Sequence, residues 1–450
     1  MRILVGFTVI LARFLENSFL HCGTYRIQGT IFEVKKGIFL LHLFLLSSHF
    51  LGGTGLADEQ RNSLSTPVFQ EITGTVFMET VIFPDDAAFS GQSRHNASFA
   101  VAPEYYLEWP DYTSLTISPF GRLDSSDARR THFDIRELFL RIVRDDWSLV
   151  VGSTKVFWGV TESKHLVDII NQTDVIENPN GESKFGQPMV NLSFTSDWGF
   201  IDLFMMPYFR ERIFQSRSGR LRGSVLIDGG QARFDSKAGR FNPDVAVRYS
   251  NNIGSWDLGL SHFYGTSREP TLTDFGFSSD NTIVLVPNYE SISQTGLELQ
   301  YTNGPWLWKL EGLFRQGQKN ALGSEQNFSS FVGGAEYNFF GAFGTNTDVG
   351  VLAEYMRDSR LNKATDPLQH DIFSAVRVAL NDTADTQALA GVVQDLQEST
   401  RQVFLEASTR INDSTRLSIE LQNFMSVESG DVLSDLRADD FIRLELTYYH

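Results

Sequence analysis

Cysteine is almost missing from this chain. The one example, Cys22, rules out a disulfide framework and a thiolate metal cluster. Positive charge is also short. Lys and Arg number 38 against 55 Asp and Glu, a net charge of −17, and no basic face is available for nucleic acid. Past residue 57 there is no apolar run of 18 residues, which excludes a bundle of membrane helices. No segment with helical periodicity is long enough to build a core. The hydrolase elbow Gly-x-Ser-x-Gly and the zinc motif His-Glu-x-x-His are absent too. With 42% hydrophobic and 21% charged residues, the chain is too apolar for disorder. Its 450 residues fit two or three ordinary domains or one large β structure. Aromatics are plentiful at 13%, with 37 Phe.

The amino-terminal region reads as an export signal. Lys35 and Lys36 precede an apolar core over 37–46, and a Ser/Gly-rich stretch ends at Gly55-Leu56-Ala57. A basic start, a core of about ten apolar residues and a small residue at the cut describe a secretory signal peptide. Cleavage is expected after Ala57, with passage through the Sec translocon. Residues 1–34 are an unusually long preface, and one explanation is an over-extended gene start with Val34 as the true initiator. Losing residues 1–57 removes the only cysteine and moves the net charge to −20. A thiol-free chain suits an oxidising compartment.

From residue 72 onward the dominant period is two, the signature of strands. About 18 segments of bilayer-crossing length follow one another, from 72–83 to 441–449. The even parity of an up-and-down barrel closes only if the weakest segment, 387–394, is counted, and 16 strands is the alternative count. Connections alternate between tight turns, such as Asn303-Gly304-Pro305, and long polar stretches at 158–189, 210–243 and 265–292. The predicted fold is therefore all-β: a transmembrane antiparallel up-and-down barrel over 72–450. A short periplasmic segment, 58–71, precedes it, and the three long loops are extracellular. Trp109, Trp147, Trp198, Trp256 and Trp306 all flank tight turns. That places them on one rim, as an aromatic girdle at the headgroup level of outer-membrane lipid and lipopolysaccharide requires.

The girdle fixes the faces. Trp306, Trp308, Leu310 and Phe314 face lipid, so Lys309, Glu311 and Arg315 face the lumen. The same alternation turns Glu354, Glu406 and Arg410 inward, and the inward set continues with Arg248, Glu298, Glu336, Arg377, Glu420, Arg443 and Glu445. So many charges demand a wide, water-filled lumen for small hydrophilic solutes.

Loop 158–189 combines charged Glu162, Lys164, His165, Asp168 and Asp174 with apolar Leu166, Val167, Ile169 and Ile170. An apolar stripe in a long loop is expected to fold back into the lumen as a constriction, its acids facing Arg248, Arg377 or Arg410. A solvated surface loop is the plainer alternative. The arginines of 210–243 are read as mostly solvated, with anionic sugars or lipopolysaccharide phosphates as the other possibility. Ser163, His165 and Asp168 invite a hydrolytic reading, but a triad is a matter of geometry, not adjacency. No catalytic residue, cofactor or metal is expected.

The last strand reads Ile442-Arg443-Leu444-Glu445-Leu446-Thr447-Tyr448-Tyr449-His450. Ile442, Leu444, Leu446 and Tyr448 share a face, and the whole resembles the carboxy-terminal signal read by the bacterial barrel-assembly machinery. That signal usually ends in Phe or Trp, and here it ends in His450. Further stretches, among them Val151-Gly152-Ser153-Thr154-Lys155-Val156-Phe157-Trp158-Gly159, Gly219-Arg220-Leu221-Arg222 and Asp244-Val245-Ala246-Val247-Arg248-Tyr249, resemble porin-like proteins of the alginate-export type. The resemblance spans most of the chain after the leader. It implies a monomeric or homo-oligomeric (trimeric) outer-membrane barrel conducting or exporting small solutes or glycans. A closed structural or adhesin barrel is the alternative.

Overall fold

The computed structural model describes residues 66–450, and the expected leader lies outside them. Seven strands open the chain: β1 (Phe69–Ile82), β2 (His95–Glu108), β3 (Thr113–Asp124), β4 (His132–Val143), β5 (Trp147–Thr154), β6 (Gln187–Ser196) and β7 (Gly199–Met206). After two short strands, β8 (Leu226–Ile227) and β9 (Arg233–Phe234), come β10 (Asp244–Ile253) and β11 (Trp256–Thr266). A hairpin of β12 (Thr271–Phe277) and β13 (Ile283–Tyr289) leads into β14 (Ser291–Asn303), β15 (Trp306–Gln316) and β16 (Phe328–Phe339). The rest are β17 (Asp348–Asp358), β18 (His370–Ala379), β19 (Gln387–Asp395), β20 (Arg401–Asn412), β21 (Thr415–Met425) and β22 (Phe441–Tyr449).

Eighteen of these strands form one antiparallel sheet, and β22 pairs with β1, so the sheet closes on itself. Closure removes the free edges that an open sheet would leave to aggregate. His450 extends the seam: its amide donates to the Gly74 carbonyl at 2.9 Å. The strand count is 18 and not 16, because 387–395 pairs on both sides, with β18 and with β20. β1 starts at Phe69, three residues before the alternation becomes regular in the sequence, and β5 stops at Thr154.

Tight turns gather at one end. Four of them close over two residues each, and two of these begin with Gly254 and Gly304 at φ of 63° and 58°. Left-handed backbone at such a turn matches the twist of the strands and favours glycine. The long connections gather at the other end. There β12, β13, β8 and β9 make a second small sheet that the polar composition of these loops did not announce. Its core is the run Val284 and Val286, β-branched residues buried under the long loop 207–243.

The outer face of the barrel is apolar: Leu260, Trp308, Phe314, Val351, Val376, Val403 and Leu444 are all exposed. Inward-facing neighbours on the same strands are charged or polar, as at Glu311, Arg315 and Glu354. At the short-turn rim Trp306 stacks on Trp308 at 5.4 Å and meets Tyr337 edge-on at 4.8 Å, while Trp256 packs on Tyr301 at 4.5 Å. Trp198 lies over Tyr249, Trp109 directly follows β2 and Trp147 begins β5 at that rim. Ile442, Leu444, Leu446 and Tyr448 alternate with buried Phe441, Arg443 and Thr447, so they belong to the outer face.

This polarity is testable. A charge on a lipid-facing position near the middle of a barrel costs about 2–4 kcal/mol. Leu444→Arg should therefore lose about that much stability in a vesicle refolding titration, while Glu406→Gln, on the inner face, should change it by less than about 1 kcal/mol. Equal losses would mean the faces are misassigned.

Candidate functional site

The interior is divided unequally. One side is filled by the loop between β5 and β6, residues 155–186, and the other is open. Trp158, Val167, Ile169 and Ile170 of the loop pack on inward-facing Met189, Phe204, Met206, Ala246, Phe263 and Ile292. Leu166 enters a second cluster with Leu313, Phe328, Val332, Leu352, Met356 and Phe373. The apolar stripe of the loop thus lies against the inner wall. Each fully buried aliphatic side chain contributes roughly 1.5–3 kcal/mol, and this burial draws the loop against the wall.

Carboxylates of the wall then fix its course. Glu298 on β14 accepts the Gly159 amide at 2.8 Å. Glu311 on β15 accepts the Val160 and Thr161 amides at 2.7 and 2.9 Å, the Thr161 hydroxyl at 2.7 Å and the Val167 amide at 3.3 Å. Glu354 on β17 accepts the Glu162 and Ser163 amides at 2.9 and 2.8 Å and the Ser163 hydroxyl. Five consecutive loop amides therefore end on three wall acids. The burial of such acids is tolerable only because each is hydrogen-bonded.

This changes the role of several inward residues. Glu311 is 0% exposed, and Glu298, Glu354, Arg315 and Glu336 are also buried. They point inward as the alternation requires, but loop groups cover Glu298, Glu311, Glu354 and Arg315, and none of the five lines the open chambers. Arg315 pairs with Glu269 of the loop before β12 at 3.0 Å, and Arg248 pairs with Glu298 at 2.9 Å. Of the three arginines expected to face acids of the inner loop, only Arg377 does so, meeting Glu162 at 2.8 Å with Lys309 on the same acid at 3.7 Å. Arg410 turns instead to Asp385 in a short turn, at 4.0 Å.

Other loop residues are also committed. Lys164 binds Asp366 at 2.9 Å, and Lys184 binds Asp168 at 3.1 Å. Burial raises the Asp168 carboxyl above its usual range in spite of Lys184. Burial works against protonating His165, yet the Glu311 carboxylate 4.0 Å away holds its pKa above the ordinary imidazole value. Ser163 donates to Glu354, His165 packs edge-on against Phe157 and Asp168 pairs with Lys184. Among the described residues no side-chain hydrogen bond joins these three, so the geometry is not that of a triad.

Sequence alternation misses the other half of the interior. Arg136 and Glu137 are successive residues, yet both face inward, because a bulge opposite Ser118 and Pro119 lets two residues of β4 oppose one of β3. Two adjacent charges inside an alternating strand are the signal for such a bulge. Asp174 pairs with Arg136 at 2.6 Å, and Glu177 pairs with Arg122 at 2.9 Å. Arg130 joins Glu79 and Asp124 at 2.6 and 2.9 Å. His132, Asp174 and Glu177 lie close enough to share a cation. A dication there would meet three guanidiniums, so the charges favour ion pairing over metal binding.

What stays open is a passage between the inner loop and the wall from β18 through β22 to β4. One chamber of about 990 Å³ is bordered by Phe77, Phe120, Phe157, Tyr449, Glu104, Lys155 and Arg136. A second, of about 380 Å³, lies against Glu162, Arg377, Glu406 and Glu420. Both share Asn178, Glu182, Arg443 and Glu445. In the smaller chamber both cations are paired, Arg377 to Glu162 and Arg443 to Glu420 at 2.6 Å. Glu182, Glu406 and Glu445 have no cationic partner within salt-bridge distance among the described residues, although the Thr447 hydroxyl donates to Glu445.

The same architecture occurs in a solved structure, Pseudomonas aeruginosa OccD3 (OpdP), with a TM-score of 0.52 at 7% identity, covering 86% of this chain and 93% of that one. The chain shares the closed 18-stranded antiparallel β-barrel fold of that structure. P. aeruginosa OccK5 (OpdH) aligns with a TM-score of 0.49 at 11% identity, over 84% of this chain and 97% of that one. Vibrio cholerae OmpT in its trimer form gives 0.44 at 10% identity, over 85% and 99%. No protein-family model matches the sequence, and no curated protein does. The likeness that is shown is one of fold, to an 18-stranded barrel.

Across the long-loop mouth of this barrel lies the loop 207–243. Arg217, Arg233, Lys237 and Arg240 are exposed, as expected of a solvated cluster, while Arg212 and Arg220 tie the loop to its neighbours. Arg220 is buried and pairs with Asp439 of the loop before β22 at 2.6 Å, and it lies over the Phe83 ring. The Gly219 carbonyl accepts from Gln92 in the loop after β1, and the Ser216 amide donates to Asp127 in the loop after β3. Arg212 donates to the Arg268 carbonyl. Removing one partner of a buried pair costs about 3–5 kcal/mol, because the other charge is stranded. Arg220→Ala should leave the barrel folded but free this loop, and proteolysis between 207 and 243 should accelerate by about tenfold or more. Unchanged proteolysis would show that the staple is dispensable.

Proposed function

We propose that this barrel is a passive channel for small hydrophilic solutes and that its narrow passage favours cations. The observation that carries the reading is the imbalance beside the inner loop. Glu182, Glu406 and Glu445 have no cationic partner in the passage, while Arg377 and Arg443 are already neutralised. Unpaired charge of one sign in a low-dielectric constriction concentrates ions of the other sign. The inner loop acts as the constriction, and its wall anchors keep the acids at fixed positions. No bond chemistry is involved: the solute diffuses down its gradient with the long loops outward and the short turns in the periplasm.

The stapled mouth favours a second reading, a closed barrel with a structural or adhesive role. Liposome swelling separates the two. With the refolded protein in phosphatidylcholine vesicles, a small cationic solute should enter faster than an anion of equal size, with a neutral one between them. Swelling no faster than in protein-free vesicles would support the closed barrel. Faster entry of the anion would overturn the charge assignment while leaving the channel.

A further inference from the structure

The turn between β16 and β17 differs from its neighbours on the short-turn rim. Most of those turns carry charge: Asp111, Arg144-Asp145-Asp146, Asp197, Asp382 with Asp385, and Asp413. From Tyr337 to Thr347 this one carries none, and it reads Phe339-Phe340-Gly341-Ala342-Phe343-Gly344. Phe339 and Phe340 are exposed, and Phe343 is 96% exposed. Phe343 also holds a left-handed backbone at φ 57°, between Gly341 and Gly344, which are left-handed as well. For a bulky side chain that conformation is an outlier, so the local structure must impose it.

The imposing contacts are clear. Gly341 donates its amide to Asp348 at 2.9 Å, and Ala342 donates to the Thr347 carbonyl at 2.7 Å. Asn381 of the next turn donates to both the Asn346 carbonyl and Asp348, at 2.8 and 2.9 Å. Several backbone groups of the turn are thus satisfied internally, and three rings are left pointing away from the protein. A rigid, uncharged, hydrogen-bonded turn with exposed aromatic rings is suited to the interfacial zone of a bilayer.

We propose that this turn is a lipid-inserted finger, gripping the phospholipid leaflet that borders the short-turn rim. Its position favours lipid over a protein partner. Phe339 packs on Tyr337 at 4.7 Å, Tyr337 meets Trp306 at 4.8 Å, and Trp306 stacks on Trp308. The finger is therefore continuous with the aromatic belt on the outer face of β15 and β16, and extends it past the strand ends. It gives this sector of the rim a deeper hold than the charged turns elsewhere, which would fix the height and tilt of the barrel.

A spin label tests it. Phe343→Cys and Asp413→Cys are each made in the full chain carrying Cys22→Ser, labelled with a nitroxide and refolded into phosphatidylethanolamine–phosphatidylglycerol vesicles. Folding is checked by the mobility difference between unheated and heated samples on a gel. The label at 343 should collide more often with dissolved oxygen than with a water-soluble nickel chelate, and the label at 413 the reverse. Nickel accessibility at 343 equal to that at 413 would overturn the proposal. Shielding from both reagents would overturn it too, by showing that a second copy of the chain covers the turn. If Phe343→Cys does not fold, Phe340→Cys reports on the same insertion with the same outcomes.

Discussion

Replacing Glu298, Glu311 and Glu354 together with Ala should raise the single-channel conductance several-fold while the barrel stays folded. The triple variant removes the acceptors of five consecutive loop amides, of the Val167 amide and of the Thr161 and Ser163 hydroxyls. Each buried donor left without a partner costs roughly 1–3 kcal/mol. Eight such donors outweigh the apolar burial of Leu166, Val167, Ile169 and Ile170, which is worth roughly 1.5–3 kcal/mol per side chain. The balance differs for Glu311→Ala alone. It strands four donors, while the apolar contacts and the two flanking acids remain, so the loop should stay docked but flicker. The single variant is expected to show conductance noise, and the triple variant a new, larger open level. The hydrogen-bonded ladder of eighteen strands is untouched by either. An unchanged open level in a folded triple variant would mean that the inner loop does not limit the passage.

The second large effect concerns charge. Glu182→Gln, Glu406→Gln and Glu445→Gln together remove the unpaired acids and leave the paired ones in place. Two unit charges 4 Å apart in water interact by about 1 kcal/mol, and by more where the walls exclude water. Three such sites acting on one ion make a change on the order of tenfold in the cation-to-anion permeability ratio. The wild-type preference should also fade with salt, because the screening length falls from about 10 Å at 0.1 M to about 3 Å at 1 M. A preference that survives both the triple replacement and 1 M salt would have to come from somewhere other than these carboxylates.

Much of the fold is legible in the sequence because a membrane barrel writes its faces into a period of two. In 306–315 Lys309, Glu311 and Arg315 all fall on one face and both tryptophans on the other, so face and strand length can be read even though Leu307 and Leu313 share the inward face. Strand 387–395 is harder to see, because Ala388, Ala390 and Gly391 carry little hydrophobic signal. Its partners on both sides, not its own residues, define it. The bulge at Arg136 and Glu137 breaks the alternation that makes the rest readable, and it hides the residues bordering β4. The inner loop shows the limit most clearly. Its apolar stripe indicates that Leu166 to Ile170 seek a surface. Nothing local to the sequence tells which wall acids lie opposite residues 159–163, since Glu298, Glu311 and Glu354 are more than a hundred residues away. That pairing depends on closure of the barrel, a property of the whole sheet. For the same reason, alternation marks Glu311 and Glu406 alike as inward, but only the three-dimensional arrangement shows that the first is covered and the second borders the passage.

The most direct measurement is made on the wild-type protein in a planar bilayer, recording single channels under a tenfold gradient of potassium chloride. Stable open steps, with a reversal potential of the sign that cation preference gives, are the expected result. A folded barrel that produces no steps, or one that reverses on the anion side, would contradict the account.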